Sequence, residues 1–399
     1  MKASGALLAA ASIGFLVAAE PAKIDTTAVA HGNNRFAVDL YRQLSRSEGN
    51  LFLSPYSIYT ALAMTSAGAG GRTSQQMEEK LHFPARQVLP QSMAALIGSM
   101  KERRAKMGLQ LNSANALWAA QGYPLKQEFL TDAKDHYGAD VTNLDFASDP
   151  DGSRKTINRW VEKETKDKIR NLIPPGTLMP DTRLVLTNAI YFKGNWEHPF
   201  YKSSTREEDF RLSSARKSKT PLMHRIMHCA YTETDSFQAL QLPYSGNELA
   251  MVALLPKKDD LAGLEEKVST ELIESTVAKL AARDVIVTLP RFKTTAEFEL
   301  VPTLKKLGLT LPFGPDADFS GITAEPIRLS NVIHKAFVDL NEEGTEAAAA
   351  TAIIATPTAA AAPPGPLPVF RADHPFIYMI RDIRSGSILF IGRLADPSK

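Results

Sequence analysis

His224, His228 and Cys229 are the side chains in this sequence that come nearest to forming a metal site. The two histidines are four residues apart, and the cysteine follows the second one. Imidazole and thiolate groups are ligands that zinc prefers. No acidic residue stands at a ligand spacing beside them, and the other histidines are scattered. The sequence therefore predicts no metal site, and no cofactor is expected.

Groups able to catalyse a reaction are equally sparse. The sequence contains no nucleophile elbow and no zinc-protease motif. The glycine cluster at 68–71 lacks the Gly-Lys-Ser/Thr ending of a phosphate-binding loop and predicts a helix break instead. His334 stands between Val332 and Val338 in a predicted strand, where a hydrogen-bonded core histidine is the commoner case. An enzyme stays as an alternative because triads assemble in space, but these residues favour a non-enzymatic function.

The stretch 341–370 is unlike the rest of the chain, because it has no charged side chain between Glu346 and Arg371. A membrane-spanning helix is a poor interpretation, since proline breaks helix geometry and would leave polar groups unsatisfied in lipid. A plain linker would be richer in glycine, serine and charge, whereas Ile353 and Ile354 suit a pleated strand. We interpret the stretch as a loop able to become a strand, with accidental alanine richness as the alternative. The prolines in question are Pro357, Pro363, Pro364, Pro366 and Pro368.

Alternate residues of a strand face opposite sides of a sheet, which sharpens this interpretation. The residues of one phase are all small or apolar and could enter a packed interior: Thr345, Ala347, Ala349, Thr351, Ile353 and Ala355. The other phase carries the only charge of the segment, at Glu346, which could remain in water. Gly344 stands at the front as a pivot.

The elements that would hold this loop are helical early in the chain and strand-rich late. Hydrophobic periodicity predicts helices over 34–44, 125–137 and 153–172, and Ser54-Pro55 predicts another helix start. From residue 183 onward strands are predicted over 184–192, 249–255, 285–289, 331–340 and 376–394. This order predicts an α+β fold, and residues 23–399 are expected to form a single domain.

Composition describes an ordinary globular protein. The 399 residues are 44% hydrophobic, 23% charged and carry a net charge of +2, so no nucleic-acid partner is expected. Residues 1–22 are predicted to be a signal peptide cleaved after Ala19, with a retained anchor as the alternative. The mature protein is expected to be secreted or periplasmic, without a membrane partner. A single cysteine, Cys229, allows no internal disulfide.

Several long motifs, spread from residue 34 onward, resemble the serpin family. Residues 342–351, Glu-Glu-Gly-Thr-Glu-Ala-Ala-Ala-Ala-Thr, resemble the hinge of an inhibitory serpin. Residues 374–376 and 387–393 resemble its C-terminal strand pair, and 50–58 and 186–196 match further motifs. The resemblance implies helices packed on three β-sheets, with a large central sheet and an exposed reactive-centre loop at about 342–370.

The same resemblance assigns roles to three groups of residues and implies that none is catalytic. It places an ion pair between Glu342 and Arg291 near the entry point of the loop. The hinge comprises Glu342, Gly344, Thr345, Glu346, Ala347, Ala348, Ala349 and Ala350. The shutter, beneath the middle of the central sheet, comprises Ser54, Ser57, Asn188 and His334. The breach, at the upper end of the same sheet, comprises Trp196, Arg291 and Glu342.

The implied activity is suicide inhibition of a serine protease by a monomeric protein. Counting forward from Gly344 places the reactive bond at Thr358-Ala359, whereas counting back from Phe370 places it near Ala362. Small recognition residues indicate an elastase-like or subtilisin-like target. A non-inhibitory serpin acting as carrier or chaperone is the main alternative; a hydrolase or an unrelated secreted binding protein follows it. A basic run could bind a polyanion or could be a solvated helix end: Lys101, Arg103, Arg104 and Lys106.

Overall fold

The structure, a computed structural model, describes residues 25–107, 109–345 and 365–399. Within these ranges no helix combines the length and the apolar character needed to cross a membrane. The described helices are α1 Thr27–Leu44, α2 Pro55–Ala67, α3 Gly71–Lys80, α4 Leu89–Met107, α5 Gln127–Tyr137, α6 Pro150–Glu164, α7 Leu261–Lys267, α8 Thr270–Ala278 and α9 Val301–Lys306. The described strands are β1 Leu51–Leu53, β2 Gln110–Ala120, β3 Asp140–Leu144, β4 Leu184–Asn195, β5 Arg206–Arg211, β6 Lys217–Glu233, β7 Phe237–Pro243, β8 Leu249–Pro256, β9 Ala281–Pro290, β10 Phe292–Glu299, β11 Leu329–Asn341, β12 Gly344–Thr345, β13 Val369–Arg371, β14 Phe376–Asp382 and β15 Ile388–Leu394.

Helix α2 is the centre of the helical layer. Its N-cap is Ser54, whose side chain accepts a hydrogen bond from the Ser57 backbone N–H at 3.2 Å, and Pro55 occupies the first helical position. Nearly every residue of α2 is buried, so it is a core helix rather than a surface one. It contacts β2, β4 and β15. The fold thus places Ser54 and Ser57 directly against the sheet described next.

The described strands form a six-stranded sheet with the order β10-β11-β12-β4-β2-β3 and a nine-stranded sheet. In the nine-stranded sheet the order is β1-β15-β14-β8-β7-β6-β9-β13, and β5 pairs with β6. The α+β class is therefore confirmed, but the strands group into two hydrogen-bonded sheets where three were expected. The reason is β6, a strand of 17 residues that pairs with β5 and β9 along one part of its length and with β7 along another.

The six-stranded sheet has two parallel neighbours at its centre. β4 and β11 pair from Leu184 opposite Leu329 to Tyr191 opposite Phe337. Beyond these residues the two strands separate, and β12 lies between them, antiparallel to both. We call this wedge between residues 191–195 of β4 and 337–341 of β11 the opening. One face of the sheet packs on the main core and the other on a second apolar cluster under α6.

Candidate functional site

Strand β12 occupies the upper end of the opening. Gly344 pairs with Asn341 and Asn195, and Thr345 pairs with Leu340 and Gly194. At Gly344 the backbone has φ +151°, and a Cβ there would come within 2.1 Å of the Gly194 carbonyl oxygen. Only glycine fits this conformation and this close approach. Gly344 and Thr345, two of the predicted hinge residues, are thus already part of the sheet.

Thr345 points into the main core. Its side chain is completely buried, and its hydroxyl lies 2.8 Å from the hydroxyl of Tyr244. Burial raises the pKa of Tyr244, so the phenol keeps its proton and can take part in this hydrogen bond as donor. The Tyr244 ring in turn stacks on Trp196, with ring centroids 4.6 Å apart and an interplanar angle of 15°. Thr345 therefore occupies a fully buried site in which its hydroxyl already has a hydrogen-bond partner.

The breach residues Trp196 and Glu342 meet at the same end of the sheet. The Trp196 indole N–H donates to the Asn341 carbonyl at 3.0 Å, and the Trp196 backbone N–H donates to the Glu343 carbonyl at 2.9 Å. The backbone N–H of Phe200 donates to the Glu342 carbonyl at 2.8 Å. These contacts fix the turn through which β11 leads into β12.

The predicted ion pair between Glu342 and Arg291 is wrong. Within the described residues the two side chains form no salt bridge; the buried carboxylate of Glu342 accepts a hydrogen bond from the Thr205 hydroxyl at 2.8 Å. Arg291 is exposed, so its guanidinium stays in solvent instead of losing its hydration beside a buried group. The acidic neighbour Glu343 forms the ion pair here, with Lys202 at 2.6 Å.

The four shutter residues form one buried polar cluster. His334 and Asn188 are direct partners across the parallel pair of β11 and β4, and their side chains are joined at 2.5 Å. The Ser54 hydroxyl donates to the Leu389 carbonyl at 2.6 Å, and Asn188 donates to the hydroxyl of Ser57 at 2.5 Å. The cluster ties β4 and β11 to each other, to α2 and to β15.

Ser113 and Asn115 complete this cluster, and sequence reasoning missed both. The Ser57 hydroxyl lies 2.9 Å from the Ser113 hydroxyl and donates to the Asn115 side-chain oxygen at 3.2 Å. Asn188 also donates to that oxygen. Both residues belong to β2, where Asn115 lies directly opposite Asn188. Recognising β2 as a strand beside β4 is the signal that would have found them.

His334 is neutral in the folded protein. Complete burial lowers its pKa to about 3, because the charged ring would lose its hydration. Nδ1 faces the Asn188 side-chain oxygen, so it carries the proton and donates. Nε2 then accepts from the Ser54 backbone N–H at 3.1 Å. A proton on Nε2 would turn that acceptor into a donor facing another donor, so the cluster requires the neutral ring.

The other groupings raised by the sequence do not form sites. His224 faces Thr288 and His228 faces Asp284, each at 3.0 Å, while Cys229 points to the opposite, buried side of β6. Burial raises the pKa of the Cys229 thiol to about 12. No cluster of three or more His, Cys, Asp or Glu residues able to hold a metal ion occurs among the described residues.

Within the basic run that could bind a polyanion, Arg103 forms structural ion pairs. Its guanidinium forms ion pairs with Glu248 and with Asp382, the latter at 3.0 Å, and the Asp382 side chain is only 1% exposed. Arg103 is therefore committed to a structural ion pair, while Lys101 is exposed. The side chains of Arg104 and Lys106 lie outside the described part of the chain. The predicted signal peptide, the hinge residues from Glu346 to Ala350 and the predicted reactive bond at Thr358-Ala359 also lie outside it.

The chain is similar in sequence and in fold to several known proteins. A family model described as serpin (serine protease inhibitor) matches residues 31–397. An uncharacterized serpin-like protein of Methanosarcina acetivorans is 38% identical over 378 residues, covering 92% of this chain and 88% of the relative. The human leukocyte elastase inhibitor is 40% identical over 378 residues, covering 92% and 98%. The solved structure of human thyroxine-binding globulin has a TM-score of 0.85 and 29% identity, covering 94% of this chain and 100% of that chain.

Proposed function

Because the chain belongs to the serpin family, we propose that it is a suicide inhibitor of elastase-like or subtilisin-like serine proteases. Members of the family are protease inhibitors rather than enzymes, although some are non-inhibitory. The protease attacks the loop as a substrate and forms an acyl-enzyme through its own serine. Cleavage frees the loop segment that follows Thr345 to enter the sheet, and the attached protease is displaced and distorted.

The observation that carries this proposal is the register of β12. Thr345 pairs with Leu340 of β11 and with Gly194 of β4. Because β12 is antiparallel to both strands, each following residue of the loop would pair with the preceding residue of β11 and of β4. Six residues on, Thr351 would lie opposite His334 (340 − 6) and Asn188 (194 − 6), which are already partners of each other. The two ladders therefore agree, and one continuous strand can replace the parallel pairing.

The length of β4 fits the proposed reactive bond. β4 begins at Leu184, ten residues below Gly194, so the entering strand extends from Thr345 to Ala355. At about 3.3 Å per residue, this moves the end of the strand by about 33 Å. Cleavage at Thr358-Ala359 leaves a short connection beyond Ala355, whereas cleavage near Ala362 leaves a longer one. We therefore retain Thr358-Ala359 as the reactive bond.

The small side chains of the hinge support inhibition over the carrier alternative. In the extended register Ala347, Ala349 and Thr351 follow Thr345 on the face of the main core, where Val338 and Ala336 are fully buried. Bulky or charged residues at these positions would resist entry. The likeness to human thyroxine-binding globulin keeps a carrier function as the second candidate. Similarity to the human leukocyte elastase inhibitor favours an elastase-like target.

Incubation with pancreatic elastase or subtilisin, followed by denaturing electrophoresis, tests the proposal. An inhibitor gives a covalent adduct that survives denaturation, and a carrier gives only the cleaved chain. Mass spectrometry of the peptide released on attack identifies the reactive bond. We further propose that the protein acts as a secreted or periplasmic monomer, supported by the signal-like pattern of residues 1–22. N-terminal sequencing of the mature protein checks the export step.

A further inference from the structure

Three aliphatic side chains lie in one exposed row across the nine-stranded sheet. Ile226 of β6 is the register partner of Ile286 of β9, and Ile286 is the partner of Val369 of β13. Their exposed fractions are 61%, 36% and 48%. Residues that are direct partners on neighbouring strands share a face and touch. We call these three residues the apolar row.

The apolar row is not needed by the core of the protein. The next residues of the three strands, Met227, Val287 and Phe370, point inward and supply the buried face. Within the described part of the chain only six large hydrophobic side chains are exposed, and three of them form this row. Such clustering is unlike the scattered single residues that are normal on a protein surface.

Polar pairs border the apolar row on both sides along β6 and β9. His224 and Thr288 form the pair on one side, joined at 3.0 Å. His228 and Asp284 form the pair on the other side, also at 3.0 Å. An apolar centre with a polar rim is the usual anatomy of a protein-protein interface. The arrangement favours a protein partner over a small ligand, since the three side chains are exposed in one row on the face of a sheet.

The position of Val369 indicates which protein covers the apolar row. Residues 365–368, the described end of the reactive-centre loop, lead directly into β13, and the Ile286 backbone N–H donates to the carbonyl of Pro368 at 2.9 Å. The C-terminal end of the loop is thus hydrogen-bonded beside the apolar row. Ten residues separate Ala359 from Val369, a span of at most about 35 Å when extended. A protease of about 220 residues has a radius of gyration of about 17 Å, hence a diameter of about 45 Å.

We propose that the apolar row is a docking surface for the body of the target protease, which contacts it through an apolar patch beside its catalytic cleft. This inference rests on the proposed inhibitory function. The contact would act during association, before the loop is cleaved, so it would raise the rate of complex formation without changing the chemistry at the reactive bond. The proportion of attacks that end in the covalent adduct would stay the same.

Threonine substitutions test the docking surface while keeping β-branched side chains on the strands. The double variant Ile226→Thr/Ile286→Thr is expected to lower the second-order rate constant for adduct formation with pancreatic elastase about tenfold, equivalent to about 1.4 kcal/mol. Val369→Thr is expected to lower it about threefold. Val88→Thr is the matched control, because Val88 and Val369 are both 48% exposed and Val88 lies before α4. The control should stay within twofold of the wild-type rate.

Two further measurements separate docking from folding. Thermal stability and the number of inhibitor molecules consumed per protease should be unchanged in the double variant. Its affinity for elastase whose catalytic serine is replaced by alanine should fall by about the same factor as the rate.

If the wild type forms adduct but the double variant reacts within twofold of it, the docking surface is refuted and the inhibitory function stands. If the wild type forms no adduct with elastase or subtilisin, both proposals fail. If the substitutions instead abolish self-association and leave the rate unchanged, the row binds a second copy and the docking proposal is overturned.

Discussion

Replacing Thr345 by arginine tests whether trapping depends on strand insertion. Thr345 is fully buried between Gly194 and Leu340, and its hydroxyl is the only hydrogen-bond partner described for the Tyr244 phenol. Thr345→Arg removes that partner, at about 1–3 kcal/mol, and buries an unpaired charge, which costs several kcal/mol more. Because Thr345 already lies in the sheet, we expect the arginine to leave it before cleavage and to require burial again when the strand enters. A barrier to entry raised by about 3 kcal/mol slows insertion about 100-fold. Hydrolysis of the acyl-enzyme is unaffected, so the variant should become a substrate.

The assay is the fraction of attacked chains that end as covalent adduct on a denaturing gel. We expect this fraction to fall at least tenfold for Thr345→Arg. The matched control is Glu346→Arg, which introduces the same side chain one residue later, on the face that the alternation of small and polar residues assigns to solvent. That control should keep most of the adduct. Equal adduct from Thr345→Arg and from the wild type would show that the buried face of the entering strand is irrelevant to trapping.

Four further predictions concern the sheet and its ion pairs. Cleavage of the loop should raise the melting temperature by about 10 °C, because the cleaved strand inserts into the sheet. Thermal unfolding monitored by circular dichroism measures this change, and an unchanged melting temperature would exclude insertion. His334 has a depressed pKa of about 3 in the folded state, so its stabilising contribution is complete above the unfolded value of 6.5 and is lost as the pH falls towards 3. The neutral ring contributes up to about 5 kcal/mol to the unfolding free energy. His334→Gln should therefore flatten the pH dependence of that free energy; the same pH dependence in the variant and the wild type would refute the buried, neutral state of His334. Gly344→Ala should expel β12 from the sheet, because the added Cβ would overlap β4. The fluorescence emission of Trp196 should then shift as its surroundings open; an unchanged emission would contradict the close fit at Gly344. Arg103→Ala should lower the unfolding free energy by about 3 kcal/mol, because the buried Asp382 carboxylate loses its ion-pair partner. Lys101→Ala is the exposed control and should have little effect. Equal unfolding free energies of the two variants in urea titrations would argue against the ion pair.

Sequence patterns predicted the parts of this fold whose local signals agree with their packing. The cap and proline at Ser54-Pro55 start α2 as expected, and the late strands begin close to their predicted positions. Helix α6 was predicted to extend to residue 172 but ends at Glu164, because Lys166 and Asp167 adopt positive φ angles of 51° and 61°. The apolar residues after this break pack into the second cluster from a loop instead of from a helix face.

The candidate site was predictable where it is continuous in sequence and unpredictable where it is assembled across strands. The hinge can be identified from small residues in alternation, and Thr345 occupies the inward phase. Strand β2 was missed because Asn112, Ser113 and Asn115 interrupt its hydrophobic pattern, although the shutter cluster explains the polarity of Ser113 and Asn115. The partner of Glu342 also depends on which side chains are buried, and sequence does not reveal that Arg291 stays in solvent.

The two parts of the site have different roles in the proposed insertion. At the upper end β12 has already separated β4 from β11, so the parallel pairs can be exchanged one at a time from Tyr191 and Phe337 downward. Each exchange replaces one parallel pair by two antiparallel pairs, which are slightly more stable per residue. The His334–Asn188 pair lies three residues below this front (337 − 334 = 3, 191 − 188 = 3) and must open before Thr351 can enter. We therefore expect the breach to control where insertion starts and the shutter to control how far it proceeds without cleavage of the loop.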